Sequence, residues 1–165
     1  MLTLDTGLQY ALYAFALSYL LMFGGFFINN DWALRFLFRY PLRPVLAQSP
    51  SADLVRWSSI GMIFHRMEAS FGLGLGVFVA VMTHACAGNV SQLSAVSACV
   101  AAHALFVALN HTLNHAGRAE FCRQDVLPME VRRTVGMLRF AGWGMTLVYG
   151  GLAAYGAMHA SAVPG

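Results

Sequence analysis

Two polar stretches of the sequence carry the residue types and spacings that could support chemistry. The first closes a long apolar segment. At 100° per residue on a helix, His103, Asn110 and Asn114 fall within about 40° of one another. His111 and His115 stand at i and i+4 on the flank of the same stripe. Imidazole and amide groups on one helix face could bind a ligand inside a helical bundle.

The second stretch, His65-Arg66-Met67-Glu68, opens the preceding apolar segment. His65 and Glu68 stand at i and i+3, so together with His111 and His115 on the next helix they could supply metal ligands. The same groups could instead hold a haem or a quinone. They could also satisfy one another by hydrogen bonds between helices, without any ligand. The pattern is not HExxH, and the residue types alone leave these three readings open.

Composition indicates the environment of these residues. Of the 165 residues, 58% are hydrophobic and only 10% are charged, whereas a soluble domain carries roughly 25% charge. The sequence predicts a membrane protein whose first partner is the lipid bilayer. The net charge of +3 is then explained by membrane orientation, and we expect no nucleic-acid partner.

Hydrophobic runs predict an all-α fold, namely an integral membrane four-helix bundle that forms a single domain over residues 1–165. The helices are expected at about 7–28, 60–88, 93–115 and 131–158. The first long loop contains the segment DWALRFLFRY, which mixes aromatic residues with arginine. This mixture predicts a short helix lying in the membrane interface.

The arginines predict how the chain crosses the membrane, since the sequence contains no lysine. They fall in or beside the two long loops: Arg35, Arg39, Arg43, Arg56, Arg66, Arg118, Arg123, Arg132, Arg133 and Arg139. Because basic loops stay on the cytoplasmic side, both long loops should be cytoplasmic and both termini periplasmic in a bacterial-type inner membrane.

Polar residues within lipid should avoid the acyl chains. We expect the side chains of His65, Glu68, His103, Asn110 and Asn114 to point into the bundle. Glu68 could form an ion pair with an arginine of the fourth helix, namely Arg132, Arg133 or Arg139.

Small residues should mark the faces on which the helices pack closely. Such rows occur in each of the four predicted helices: Ala11, Ala14, Ser18 and Gly25; Gly72 and Gly76; Ser94, Ser97, Ala98, Ala101 and Ala102; Gly142, Thr146, Gly150 and Ala154.

The segment SIGMIFHRMEASFG at 59–72 resembles the start of the cytochrome b membrane subunit of succinate dehydrogenases. The later run from His111 through Arg118, followed by Asp125 and the Arg132-Arg133 pair, is similar to that family in order and depth. The resemblance covers residues 59–158, and the first helix has no counterpart in the three-helix form of the family. It implies quinone contact near His65 and Arg66, and haem b ligation by His111 or His115.

These observations favour a membrane subunit of a larger inner-membrane complex of the respiratory kind, which binds quinone, haem b or both through His65, Arg66, His111 and His115. One alternative is a non-catalytic scaffold subunit of a transport or secretion assembly. Another is a compact four-helix membrane enzyme, with a metal site made of His65, Glu68, His111 and His115. Other subunits of a complex are the expected protein partners, and no catalytic residue is identified.

Overall fold

The computed structural model describes residues 3–29, 52–118 and 129–161, with all side chains in these ranges except those of 52–62, 64, 65, 129–131 and 161. The described chain is all-helical, as predicted. Its elements are α1 (Leu4–Ile28), α2 (Ala52–Ala85), α3 (Val90–His115) and α4 (Met129–Ser161). The predicted interfacial helix at 31–40 lies outside the described residues, and so do residues 119–128 of the charged loop predicted at 117–130.

Three described segments are long and apolar enough to cross a membrane: Leu4–Ile28, Arg66–Ala85 and Val90–His115. α4 is not among them, although its 33 residues give it the length. α2 begins at Ala52 and not near residue 60. The prediction followed only the apolar core of this segment, whereas the helix also includes the polar residues Asp53 and Arg56 that precede it.

The chain divides into two compact units. The first unit comprises Met1–Ala14 and Val79–Gly165, and the second comprises Phe15–Phe78. α3 and α4 belong to the first unit, whereas α1 and α2 each contribute to both.

In the second unit, aromatic side chains of α1 pack on small residues of α2. The rings follow one another with centroid separations of 4.2 Å for Phe15–Tyr19, 5.1 Å for Tyr19–Phe23 and 6.1 Å for Phe23–Phe26. The Phe23 ring fills the space above Gly72, where any Cβ would overlap it. The face of α1 predicted from small residues is therefore wrong at Ala14 and Ser18, which are exposed.

In the first unit, three small residues and one histidine of α3 meet glycines of α4 in an antiparallel register. The α3 residues recur every seventh position, and the facing pairs are Ser94 with Gly156, Ala101 with Gly150, Ala108 with Gly142 and His115 with Gly136. The closest approach to backbone atoms is at Gly142, where a Cβ would lie 2.9 Å from the Ala108 Cα atom. Gly142 and Gly150 thus confirm the predicted packing row on α4, whereas Ala154 is exposed.

A short turn joins α2 to α3 within the first unit. Gly88 adopts φ +81°, a conformation that favours glycine. Asn89 caps α3, because its side-chain oxygen accepts a hydrogen bond from the Gln92 backbone N–H at 3.0 Å. The Gly88 N–H donates to the Asp5 carboxylate at 3.1 Å, which ties the turn to the first turn of α1.

A buried tyrosine provides a second tie between α1 and the rest of the first unit. The Tyr149 hydroxyl of α4 donates to the Ala11 carbonyl of α1 at 2.9 Å. Because the side chain is only 8% exposed, this bond is shielded from solvent. The α3–α4 pair and the start of α1 are therefore joined by specific polar contacts as well as by apolar packing.

Candidate functional site at the polar end of α3 and α4

The last turns of α3 and the first half of α4 bring four polar or amphipathic side chains together. We name Thr112, His115, Arg139 and Trp143 the α3–α4 polar cluster. The antiparallel register positions it, since His115 faces Gly136 and therefore lies near Arg139, one turn further along α4. The imidazole lies beside this glycine, because a Cβ at position 136 would be in ordinary van der Waals contact with it, 3.5 Å from His115 Cδ2.

Arg139 and His115 form the centre of the cluster. The Arg139 Nη1 atom lies 3.2 Å from His115 Nδ1. An arginine side chain can only donate hydrogen bonds, so Nδ1 must accept and the neutral imidazole carries its proton on Nε2. The other N–H groups of the pair are the imidazole Nε2–H, which lies beside Gly136, and those of the guanidinium, and all of them are donors.

The Arg139 guanidinium also lies against an aromatic ring. Its central carbon is 4.8 Å from the centroid of the Phe140 ring, within range of a cation–π interaction. Two separate contacts therefore hold this cation in place. Arg139 is half-buried, which makes it a fixed positive charge at the helix seam.

Trp143 is fixed one turn deeper along α4. Its indole Nε1–H donates to Thr112 Oγ1 at 3.1 Å, and the Thr112 hydroxyl donates to the Ala108 carbonyl at 2.7 Å. The indole remains 37% exposed. The cluster therefore combines hydrogen-bond donors with an accessible aromatic surface on the same side of α4.

The structure gives mixed outcomes for the histidines and asparagines predicted on α3. His115 belongs to the cluster, while His103, His111 and Asn114 are half-buried and each has an interaction partner. Asn110 is exposed, so the prediction that it points into the bundle is wrong. The α3 side chains that pack against α4 are mostly small, and the longer Asn110 amide lies on the outer face of the helix.

The residues predicted on α2 lie in the second unit. The side chain of His65 is outside the described residues, and Arg66 is exposed. Glu68 is exposed too, although it has an interaction partner, so the prediction that it points inward is wrong. The face of α2 that packs on α1 consists of Ala69, Gly72 and Gly76, which leaves Glu68 outside the contact.

The predicted joint sites, made of His65, Arg66, His111 and His115 or of His65, Glu68, His111 and His115, stay predictions. Each set draws residues from both units, and each includes the His65 side chain. Over the side chains that are described, no three His, Cys, Asp or Glu residues gather as a set of metal ligands.

An open cleft lies at the opposite end of the first unit, lined by Leu4, Gly88, Asn89, Val90, Ser91, His159 and Ala160. His159 is exposed, and its Nδ1 lies 2.9 Å from the Tyr155 carbonyl. Since a carbonyl can only accept, Nδ1 is the donor. The only ionisable group among the described residues that line the cleft is the His159 imidazole. The cleft therefore offers fewer groups for binding a ligand than the α3–α4 polar cluster does.

Sequence reasoning missed Thr112 and Trp143, and it assigned Arg139 only as an ion-pair partner for Glu68. The sequence did contain an indication of this site, because Arg139 and Trp143 stand at i and i+4 and so lie on the same face of α4. Arg139 is also the last charged residue in the chain. Finding its partner required the register of α3 against α4, which helical periodicity within one segment does not provide.

Comparisons with protein families, curated proteins and solved structures find no match to this chain. The α3–α4 polar cluster must therefore be interpreted from its own geometry.

Proposed function

We propose that the chain is a membrane-spanning subunit of a larger inner-membrane complex, and that its α3–α4 polar cluster binds a quinone through a carbonyl oxygen. Three apolar helices support the membrane location. α4 would be the fourth span, because no charged residue follows Arg139.

The proposed orientation has both long loops in the cytoplasm and both termini in the periplasm. The arrangement of arginine supports it, since every arginine lies in or beside one of the two long loops. Reporter fusions after Gly165 provide the test. We expect activity from a periplasmic reporter, and activity only from a cytoplasmic reporter would overturn the orientation.

The contact between Arg139 and His115 is the observation that carries the ligand proposal. A quinone carbonyl is an uncharged acceptor, and the pair presents donors at the level where helix α3 ends. A haem-ligating histidine needs the opposite arrangement, with Nδ1–H donating to an acceptor and Nε2 free to bind iron. Arg139 cannot accept that hydrogen bond, so the contact favours quinone binding over haem ligation for His115. His111 then remains the α3 residue proposed for haem.

Quenching of Trp143 fluorescence tests quinone binding directly. With Trp32→Phe and Trp57→Phe, Trp143 becomes the sole tryptophan. In nanodiscs, a short-chain ubiquinone analogue should quench it with a saturable curve. Hydrogen bonds to charged groups contribute roughly 1.5–3 kcal/mol, so Arg139→Gln should weaken binding by about 10- to 100-fold.

His115→Gln should also weaken quenching, while His159→Gln serves as the matched control at the other end of the first unit. Linear quenching that is identical in all variants would reflect quinone dissolved in lipid and would overturn the site. The same samples should be scanned oxidised and dithionite-reduced. A Soret band that is lost in His111→Ala but kept in His115→Ala would support haem on His111.

A scaffold subunit is the second proposal, and the exposed side chains of α4 favour it. Phe140, Leu147 and Met158 are each more than 60% exposed at 69%, 75% and 62%. Such a face suits either lipid or the helices of other subunits. If quinone does not bind and the Arg139→Gln variant instead fails to co-purify with its partners, the scaffold proposal gains support.

A further inference from the structure

We infer that Arg118, Arg132 and Arg133 form a binding surface for the phosphate group of an anionic phospholipid, and we name this the arginine surface. The inference rests on the proposed membrane location but not on quinone binding. It concerns three exposed arginines that the α3–α4 polar cluster does not use.

The register of the helix pair brings the three arginines to the same end of the pair. His115 faces Gly136, and the helices are antiparallel. Arg118 follows His115 by three positions, while Arg133 and Arg132 precede Gly136 by three and four positions. Arg118 therefore lies just past the end of α3, and the arginine pair lies about one turn before Gly136 on α4. Both are on the outer side of the contact between His115 and Gly136.

The end of α3 fixes the backbone of Arg118. Gly117 adopts φ +65°, its N–H donates to the Asn114 carbonyl at 3.2 Å, and the Arg118 N–H donates to the Leu113 carbonyl at 3.0 Å. These two bonds make a Schellman motif, which holds the residue after the glycine in a defined direction. Arg118 thus leaves α3 at a set position.

Three cations at the same end of a helix pair repel one another unless an anion lies between them. Over the described side chains, no ion pair or hydrogen bond involves the side chains of Arg118, Arg132 or Arg133. Arg139, by comparison, is held by His115 and Phe140. The arginine surface therefore has unused donors, and guanidinium groups match the oxygens of a phosphate in paired hydrogen bonds.

The position along α4 identifies a lipid as the source of the phosphate. Arg132 precedes Arg139 by seven residues, which places it about 10 Å further toward the helix end. Around the axis of α4, four residues lie within about 60° of one another, namely Arg132, Gly136, Arg139 and Trp143. Below the arginine surface, the same side of α4 carries the exposed indole of Trp143, against which an acyl chain can lie.

Lipid titration of the purified chain in neutral detergent tests the inference. Phosphatidylglycerol and phosphatidylcholine with the same acyl chains should be compared by native mass spectrometry and by the shift in Tm. We expect phosphatidylglycerol to bind at least tenfold more tightly. An arginine near a charged lipid surface contributes on the order of fivefold in affinity, so the Arg132→Gln/Arg133→Gln pair should lose about 25-fold.

Two controls separate charge from folding. The Arg132→Lys/Arg133→Lys pair keeps the charge and should bind phosphatidylglycerol more tightly than the glutamine pair. Arg66→Gln removes an exposed arginine of α2 and should leave phosphatidylglycerol binding unchanged. All three changes are at exposed or helix-end positions, so the Tm without added lipid should stay close to that of the unaltered chain.

Three outcomes would overturn the inference. The first is equal affinity for the two lipids, which is expected if the carboxylates of Glu120, Asp125 and Glu130 already neutralise the arginines. The second is unchanged binding in the glutamine pair. The third is an equal rise in Tm from millimolar inorganic phosphate, which would make free phosphate the ligand. Quinone quenching measured on the same pair should be retained, so failure of either proposal is distinguishable from failure of the other.

Discussion

The two units of this protein bring helices together in different ways. In the second unit, the Phe23 side chain of α1 occupies a notch above Gly72 of α2. In the first unit, the backbone of α4 at Gly142 lies directly against the backbone of α3 at Ala108. An aromatic side chain can adjust to a change in its notch, whereas two helix backbones in contact can respond only by moving apart.

This difference explains where the polar cluster occurs. The distance between α3 and α4 is set by backbone contact at Gly142, within one turn of Arg139 and Trp143. Hydrogen bonds require donor and acceptor to lie within a few tenths of an ångström of their preferred separation. Backbone contact fixes the distance between two helices to that accuracy. Aromatic side chains packed between two helices leave this distance more variable.

The largest effect is expected from Gly142→Leu. The new side chain would start 2.9 Å from Ala108 Cα and force the two helices apart, at a cost of about 3 kcal/mol or more in the free energy of unfolding. Unfolding in mixed micelles should be compared with Gly144→Leu, since a Cβ at Gly144 meets nothing within 4 Å. Equal losses in the two variants would contradict backbone contact as the cause.

Paired substitutions test the contrast between the units more sharply. Gly72→Ala should destabilise by roughly 1–3 kcal/mol, and Phe23→Leu should recover at least half of that loss, because a smaller side chain vacates the notch. Gly142→Ala combined with Ala108→Gly should show much weaker recovery, since Ala108 Cα and N would still lie 2.9 and 3.0 Å from the added Cβ. Double-mutant cycles measure both couplings, and a larger coupling at 142 and 108 would reverse the comparison.

A smaller effect is expected from Tyr149→Phe in the first unit. The change removes the hydrogen bond to the Ala11 carbonyl and should lower the free energy of unfolding by about 1 kcal/mol. Tyr155→Phe is the matched control, because that side chain is 47% exposed. If both variants lose the same amount, the contact with α1 contributes no specific stability.

The smallest effect is expected from Ser97→Ala on α3. Ser97 is fully buried, and within the described residues its hydroxyl has no hydrogen-bond partner. Removing a buried polar atom that lacks a partner should leave stability unchanged or raise it by up to about 1 kcal/mol. Ser94→Ala is the control, since the Ser94 hydroxyl donates to the Val90 carbonyl at 2.7 Å. A loss in Ser97→Ala exceeding that in Ser94→Ala would show that the hydroxyl has a partner.

Hydrophobic runs and small-residue spacing predicted part of this fold. All four helices are present, and the contact faces at Gly72, Gly76, Gly142 and Gly150 agree with the prediction. Both signals are local, because each is read within one helix. The face of α1 was predicted wrongly because aromatic residues at helical spacing form its buried face. Phe15, Tyr19 and Phe26 are buried, and Phe23 fills the space above Gly72.

The candidate site was less predictable, for a physical reason. His115 was identified from its spacing on α3, but its contact with Arg139 depends on how two helices are aligned along their length. That alignment is fixed by Gly142 and by its neighbours in the seam. If either helix moved by one residue along its axis, both helices would still carry the same polar residues, but His115 would have a different partner. Residue type therefore indicated that His115 could belong to a site, whereas the register of α3 against α4 determined that its partner is Arg139.

The short turn at Gly88 has a consequence for how the chain would enter a membrane during synthesis. No Asp, Glu, Lys or Arg occurs between Glu68 and Arg118. In the proposed orientation this turn is the only connection between spans that must cross the bilayer. The insertion machinery would then move a few small residues and His84 through the lipid, with no formal charge. We therefore expect α2 and α3 to insert together as a hairpin, with the arginine-rich segments on either side left in the cytoplasm.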